Sequence, residues 1–246
     1  PGETRSFGWA FYATVAPLTA LISAMVGLNG VAAWAFGADD FEAAALAGLL
    51  AWGGMWLLHW LATVRLADSR RFQAHHVLGS AIGLGTGAWG LTWLLGSTLD
   101  LLIGNRPGLT VGSGHELGRA GALLVTGGLV WVIYWLRTLS RAERTPLWFV
   151  YVLPIGVGVG LVAAISALST LLYRVLVWFV GRPFPDDASR YFSGAAATVA
   201  AALVGILVWW YHRTVLAETE SAGRTEVRRV YEYLMAGVAL LAAAGG

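Results

Sequence analysis

Trp56-Leu57-Leu58-His59-Trp60 is a short aromatic segment, and closely similar segments return twice along the chain. It recurs 75 residues later as Trp131-Val132-Ile133-Tyr134-Trp135, and again as Trp209-Trp210-Tyr211-His212. Each copy lies near the end of a long apolar run and precedes an arginine-rich connection. Self-similarity at a fixed spacing is typical of chains built from repeated structural units, so the pattern predicts a repeated helical hairpin.

The first two copies can be aligned beyond these stretches without a gap. Shifting residues 53–85 by 75 places ten of 33 residues on identical ones, including Trp56 on Trp131 and Trp60 on Trp135. Tryptophan is uncommon enough that two such matches argue against a chance similarity between apolar segments. We therefore expect both copies to form the same helical hairpin.

The composition indicates a membrane protein. Hydrophobic residues make up 57% of the chain and charged residues 12%, whereas soluble domains average about 25% charged residues. The apolar residues fall in runs long enough to cross a bilayer core, which takes about 20 residues of helix. The sequence predicts an all-α, polytopic transmembrane bundle of about seven helices. The predicted runs are 7–36, 43–66, 74–103, 117–138, 147–180, 189–216 and 227–246.

The repeat also predicts how this membrane region is organised. Residues 1–246 are expected to form a single membrane domain that begins with a half repeat over residues 1–41. Three hairpins follow, over residues 42–116, 117–188 and 189–246, and the last of them is truncated. Each hairpin then contains two of the apolar runs.

Arginine residues are distributed unevenly between the two sides of the predicted bundle. One side carries eleven and the other four, and the side richer in arginine is expected to be cytoplasmic. This predicts a multi-pass protein of the plasma membrane, or of the bacterial inner membrane, with a cytoplasmic N-terminus. The eleven are Arg5, Arg65, Arg70, Arg71, Arg137, Arg141, Arg144, Arg213, Arg224, Arg228 and Arg229, and the four are Arg106, Arg119, Arg182 and Arg190.

Two motifs in these segments resemble those of a known family. Trp56-x-x-His59-Trp60 ends one predicted helix, and Arg228-Arg229-x-Tyr231-x-Tyr233 opens another. Together they resemble a bacterial multi-pass membrane domain that is known only as a domain of unknown function and repeats this hairpin. The resemblance covers most of residues 42–246 and implies the fold and the membrane location, but no reaction, ligand or catalytic residue. The middle copy departs from the motif, because Tyr134 stands in place of the histidine.

His59 and His212 occupy equivalent positions of the predicted repeat. Imidazole is the usual axial ligand of haem, and inside a membrane it can relay protons or bind a quinone. Both residues are therefore candidates for cofactor binding. An interfacial role suits them as well, because Trp, Tyr and His anchor helices at the membrane surface. Tyr134 at the third equivalent position favours the interfacial role, and the sequence leaves the cofactor unknown.

Arg174 and Asp100 are charged residues that lie within predicted helices, at similar depth from the ends. A charge inside the hydrocarbon region costs several kcal/mol unless it is paired or reaches the interface. We therefore expect an ion pair between these two buried charges.

The sequence favours a structural role over a catalytic one. It contains no cysteine and no HExxH or GxSxG motif, so thiolate chemistry and two common hydrolase sites are excluded. We expect a structural or accessory subunit, or a scaffold, of a membrane complex. A transporter or channel is the alternative, with Pro154 and the glycines after it as the nearest broken helix. A haem- or quinone-binding redox protein is the second alternative. The expected partners are the lipid bilayer and other subunits or copies of the chain, and no nucleic acid.

Overall fold

The computed structural model is helical throughout. It describes residues 7–66, 73–103, 111–185 and 187–220, with Tyr233, Ala236, Gly237 and Leu240 near the C-terminal end. Helices account for most of these residues, and no strand occurs among them. The predicted all-α fold is therefore confirmed. The predicted run 227–246 lies outside the described residues, apart from those four.

The helices follow the predicted apolar runs closely, with two π-helical segments among them. A π-helix carries i to i+5 hydrogen bonds and often marks a functional position. The elements in chain order are α1 (Phe7–Ala35), α2 (Ala43–Leu66), α3 (Gln73–Ile103), α4 (Val111–Trp131), π1 (Val132–Leu136), a 3-10 turn (Leu139–Arg141), α5 (Pro146–Val150), π2 (Tyr151–Val159), α6 (Gly160–Val180), α7 (Ala188–Tyr191) and α8 (Ala195–Glu220).

Five stretches of the described residues are long and apolar enough to cross a membrane. The chain is accordingly a multi-pass membrane protein. α3 is 31 residues long but is not one of the five, since its many glycines add little hydropathy. The five stretches are Phe11–Ala35, Ala43–Ala62, Gly114–Arg141, Pro146–Val180 and Ala195–Leu216.

The chain divides into two compact units. Unit 1 draws on Pro1–Leu91 and Val111–Trp148, and unit 2 on Thr92–Thr110 and Phe149–Gly246. α3 therefore begins in unit 1 and ends in unit 2.

Unit 1 packs its helices through glycines. On α3, Gly83 faces the main chain of Trp131, and Gly87 faces Gly127 of α4. A Cβ added at Gly83 would lie 2.6 Å from the Trp131 nitrogen, so no larger residue fits there. Small residues let membrane helices approach closely and gain van der Waals contact. α1 approaches α2 closely in the same way, since a Cβ at Gly27 would lie 2.5 Å from the main-chain nitrogen of Leu49.

The end of α1 is closed by a glycine in the left-handed conformation. Gly37 has φ of +69°, and the next residue, Ala38, donates its N–H to the carbonyl of Ala33 at 2.8 Å. Gly37 itself donates to the carbonyl of Trp34. This is the Schellman arrangement, which needs a residue without a Cβ penalty at the turn. It reverses the chain toward α2.

Unit 2 is built on the pairing of α6 with α8. A Cβ at Gly160 would lie 2.7 Å from the Trp209 nitrogen, and one at Gly205 would lie 2.7 Å from the Ala164 nitrogen. The predicted run 189–216 is interrupted at Gly194, whose φ is +79°. That conformation separates the short helix α7 from α8.

Candidate functional site

A chain of hydrogen bonds joins three elements at one end of unit 1. Trp56 of α2 donates its Nε1–H to the hydroxyl oxygen of Tyr134 at 2.6 Å, and that hydroxyl lies 2.9 Å from Nε2 of His75. Tyr134 and His75 are 0% and 1% exposed. π1 carries Tyr134, and α3 begins just before His75. The chain therefore ties α2, α3 and π1 together in a buried position.

The direction of these bonds follows from the chemistry of the three groups. An indole N–H can only donate, so the Tyr134 oxygen accepts from Trp56. The hydroxyl proton of Tyr134 then has Nε2 of His75 as its acceptor, which assigns the histidine proton to Nδ1. His75 Nδ1 is buried and has no hydrogen-bond partner among the described residues. We infer a neutral His75 with one unused donor.

Aromatic rings surround this chain on the side of α2 and α3. The Trp60 ring lies 5.1 Å from that of Tyr134 and 5.2 Å from that of His76, both nearly edge-on. Edge-to-face pairs at such distances each add about 0.5–1.5 kcal/mol. Gly79 provides the space beneath, since a Cβ there would overlap the Tyr134 ring. Packing and hydrogen bonding therefore hold Tyr134 in one orientation.

His59, a predicted cofactor ligand, lies outside this cluster but in the same unit. Its Nδ1 lies 2.8 Å from the carbonyl oxygen of Met55, which can only accept, so Nδ1 carries the proton. Nε2 is then the acceptor for the Tyr12 hydroxyl at 3.2 Å. Both ring nitrogens of His59 thus have protein partners, and the bond to Tyr12 joins α1 to α2.

His212, the second predicted ligand, lies in unit 2. Its Nδ1 is 2.8 Å from the carbonyl oxygen of Val208, the same local bond that His59 makes. The ring is 0% exposed, packs edge-on against Tyr151 of π2 with centroids 5.5 Å apart, and touches Gly156. His212 thereby connects α8 to π2. A cofactor role for His59 and His212 stays a prediction.

Arg174 has a different partner from the one expected. Its Nη1 donates to the main-chain carbonyl of Ser193 at 3.1 Å, and no ion pair with Asp100 occurs within the described part of the chain. The reason is the break between α7 and α8, which leaves the carbonyl of Ser193 available to a side chain from α6. Arg174 and Asp100 are each partly exposed, so neither charge is fully buried.

A second cluster lies at the other end of unit 1, where α1 connects to α2. Arg119 of α4 forms an ion pair with Asp39, with Nη2 and Oδ1 2.6 Å apart. His115 Nδ1 lies 2.7 Å from the carbonyl oxygen of Ala38. Both contacts bridge residues that are about 80 positions apart, and no local pattern in the sequence signals them. They fasten the α1–α2 connection to α4.

Comparison with known proteins matches part of the chain to a family. Residues 73–190 match the family model described as a domain of unknown function (DUF5671). No curated protein and no solved structure matches the chain. The matched region covers just under half of the chain and includes π1 and π2, which carry Tyr134 and Tyr151. Residues 73–190 of this multi-pass helical membrane protein are thus similar to a domain of unknown function.

Proposed function

We propose that the chain is a structural or accessory subunit that acts as a scaffold in a membrane complex. The observation that carries this proposal is the buried hydrogen-bond chain Trp56–Tyr134–His75. Its three polar side chains join α2, α3 and π1. The Tyr12–His59 and Tyr151–His212 contacts use the same residue types for the same purpose. Polar groups that link helices to one another favour rigidity.

The exposure of α2 also supports a role in assembly. None of the residues in the most apolar window of its membrane-capable stretch, Ala43–Ala62, is buried, although α1 packs against one side of the helix. Large apolar side chains such as Leu50 and Leu58 are 67% and 64% exposed. In a bilayer such a face meets either lipid or the helix of another protein. A scaffold subunit would offer it to a partner.

Isolation from native membranes tests this proposal directly. A tagged full chain is expected to co-purify in mild detergent with a defined protein at constant ratio across a density gradient. A photo-crosslinker at Leu58 should capture that protein, and one at Ala20, which is 1% exposed, should not. A chain that purifies alone, without crosslinks at exposed positions of α2 or α6, would contradict the scaffold role. A reduced-minus-oxidised absorption spectrum with haem bands would replace it with the redox alternative.

The proposal predicts that Tyr134 is important for stability. The Tyr134→Phe variant is expected to lose about 1–2 kcal/mol of unfolding free energy, because buried His75 and partly buried Trp56 lose their common partner. Tyr173→Phe is the matched control, since Tyr173 is 67% exposed, and it should change stability by less than about 0.5 kcal/mol. Unfolding in mixed detergent micelles, followed by tryptophan fluorescence, measures both. Equal stability of the two variants would show that the hydrogen-bond chain does not contribute to the free energy of unfolding.

Transport is a second candidate, favoured by π2. This nine-residue segment contains Pro154 and lies within Pro146–Val180, one of the membrane-capable stretches. Transporters place their sites where membrane helices are broken. The purified chain in sealed vesicles should then accelerate solute uptake above empty vesicles, and Pro154→Ala should reduce that rate. Uptake equal to that of empty vesicles across cations, anions and small neutral solutes would remove this candidate.

A further inference from the structure

A groove of about 590 Å³ runs along the contact between α1 and α2 in unit 1. Ser23 and Asn29 line it on the α1 side, and Gly48 and Trp52 line it on the α2 side. Glu42, immediately before α2, lies at one end. A cavity of this size accommodates part of a lipid-sized molecule.

The floor of the groove is formed by closely apposed helices, and its mouth opens at their surface. A Cβ at Gly30 would lie 2.9 Å from that of Ala45, so little side-chain volume separates the helices. Val26 on one rim is 70% exposed and Trp52 on the other is 43% exposed. Both helices are long and apolar enough to cross a membrane, so the groove opens toward the hydrocarbon region.

Two of the polar groups that line the groove, those of Asn29 and Glu42, lie toward one end of it. At 1.5 Å per residue, Asn29 lies about 9 Å from the end of α1 and Ser23 about 18 Å from it. Glu42 lies beyond the start of α2, at the level of the connection. Asn29 Oδ1 is buried without a hydrogen-bond partner among the described residues. Asn29 and Glu42 thus lie toward one end, and apart from Ser23 the groove is lined elsewhere by small and apolar residues and by Trp52. This distribution matches an amphiphile.

The charge at that end selects the headgroup. Glu42 carries a carboxylate and lines the groove, whereas Asp40, two residues away, does not line it. The nearby cation, Arg119, is already paired with Asp39 at 2.6 Å. Opposite charge across an interface favours the matching partner and disfavours the like-charged one. A cationic headgroup is therefore complementary to this end, and a lipid with net negative charge is not. A primary ammonium group fits better than choline, because its N–H groups can donate hydrogen bonds to the carboxylate.

We propose that the groove binds a phospholipid with a primary-ammonium headgroup, of the phosphatidylethanolamine type. The ammonium lies at Glu42, and an acyl chain follows the groove past Gly48 toward Trp52. This inference does not rest on the scaffold role, because a lipid site can exist in a transporter or a scaffold alike.

Native mass spectrometry of the full chain, released from nanodiscs, tests the selectivity. The nanodiscs contain phosphatidylcholine together with either phosphatidylethanolamine or phosphatidylglycerol. The retained phosphatidylethanolamine should exceed phosphatidylcholine by roughly two- to fivefold, the range expected for one exposed hydrogen bond to a carboxylate, which the choline group cannot donate. Equal retention of all three lipids, or a preference for phosphatidylglycerol, would overturn the proposal.

Two variants with matched controls locate the site. A Cβ at Gly48 or at Gly54 meets nothing within 4 Å, but only Gly48 lines the groove. Gly48→Leu should therefore fill the groove and abolish the enrichment, and Gly54→Leu should leave it intact. Glu42→Gln should remove the preference over phosphatidylcholine, and Asp40→Asn should largely preserve it. Enrichment that survives both Gly48→Leu and Glu42→Gln would place the lipid elsewhere, and Glu42→Gln still decides the matter if Gly48→Leu does not fold.

Discussion

The Gly127→Val variant is expected to separate α3 from α4 and to have a much lower free energy of unfolding than the native chain. A Cβ at position 127 would overlap the main chain of Gly87 and lie 2.7 Å from the carbonyl carbon of Thr86. Main-chain atoms cannot rotate aside as a side chain can, so the helices themselves must move. Overpacking costs about 1–3 kcal/mol in ordinary cores. We expect at least about 3 kcal/mol here, because separating the helices also loses the contacts at Gly83 and Gly90.

The neighbouring residue supplies the control for this prediction. A Cβ at Gly128 meets nothing within 4 Å, so Gly128→Val introduces the same side chain into the same helix without the clash. Both variants gain the same small increase in helix propensity over glycine. Unfolding free energies in mixed micelles should separate them by at least about 2 kcal/mol. If both variants have the same unfolding free energy, the close approach of α3 and α4 does not control stability.

The sequence predicts the helices well, because their signal is local. Runs of apolar residues bounded by glycine, proline and arginine give the ends of α1 and α2 to within a residue or so. The interruption at Gly194 was missed, since its signal is the backbone conformation of one glycine. The grouping of Gly79, Gly83 and Gly87 on one face of α3 indicates close packing, but not the partner helix. Which helix packs against these glycines depends on the tertiary fold, and the sequence of neither helix alone indicates it.

The candidate site was predicted only in part. His59 and His212 stand out in the sequence because of their shared motif, but the buried hydrogen-bond chain uses His75 and Tyr134, which are 59 residues apart. One signal for this contact was present. In the predicted repeat, His76 and Tyr151 occupy equivalent positions near the start of a hairpin's second helix. Each packs against the residue near the end of the next copy, His76 against Tyr134 and Tyr151 against His212. Aromatic or imidazole groups at both positions of each pair indicate a recurring contact.

The expected pairing of Arg174 with Asp100 illustrates a different limit. Matching opposite charges by predicted depth assumes that only side chains can satisfy a buried cation. The break between α7 and α8 frees main-chain carbonyls, and Arg174 binds the one at Ser193. Carbonyl acceptors of this kind appear wherever a membrane helix is interrupted, and they depend on backbone geometry that the side-chain sequence does not reveal.

The Gly156→Val variant is expected to have an effect of similar size in unit 2. His212 packs so closely on Gly156 that an added Cβ would overlap its ring and lie 2.9 Å from the His212 Cβ. The ring has little room to withdraw, because it is 0% exposed and its Nδ1 is bonded to the carbonyl of Val208. A valine must therefore push α8 away from π2 and break the packing of Tyr151 on His212. We expect a loss of about 3 kcal/mol.

A double-mutant cycle separates this clash from any general damage to π2. His212→Ala alone should cost about 2–4 kcal/mol, as for other buried large-to-small changes. In the double variant the missing imidazole vacates the space that the valine needs, so the combined loss should fall short of the sum by about 1–3 kcal/mol. Additive losses would mean that Gly156 is required for the π-helical backbone itself rather than for contact with His212. A sub-additive loss would establish that glycine is needed at position 156 because the His212 ring occupies the adjacent space, and that this contact couples π2 to α8 energetically.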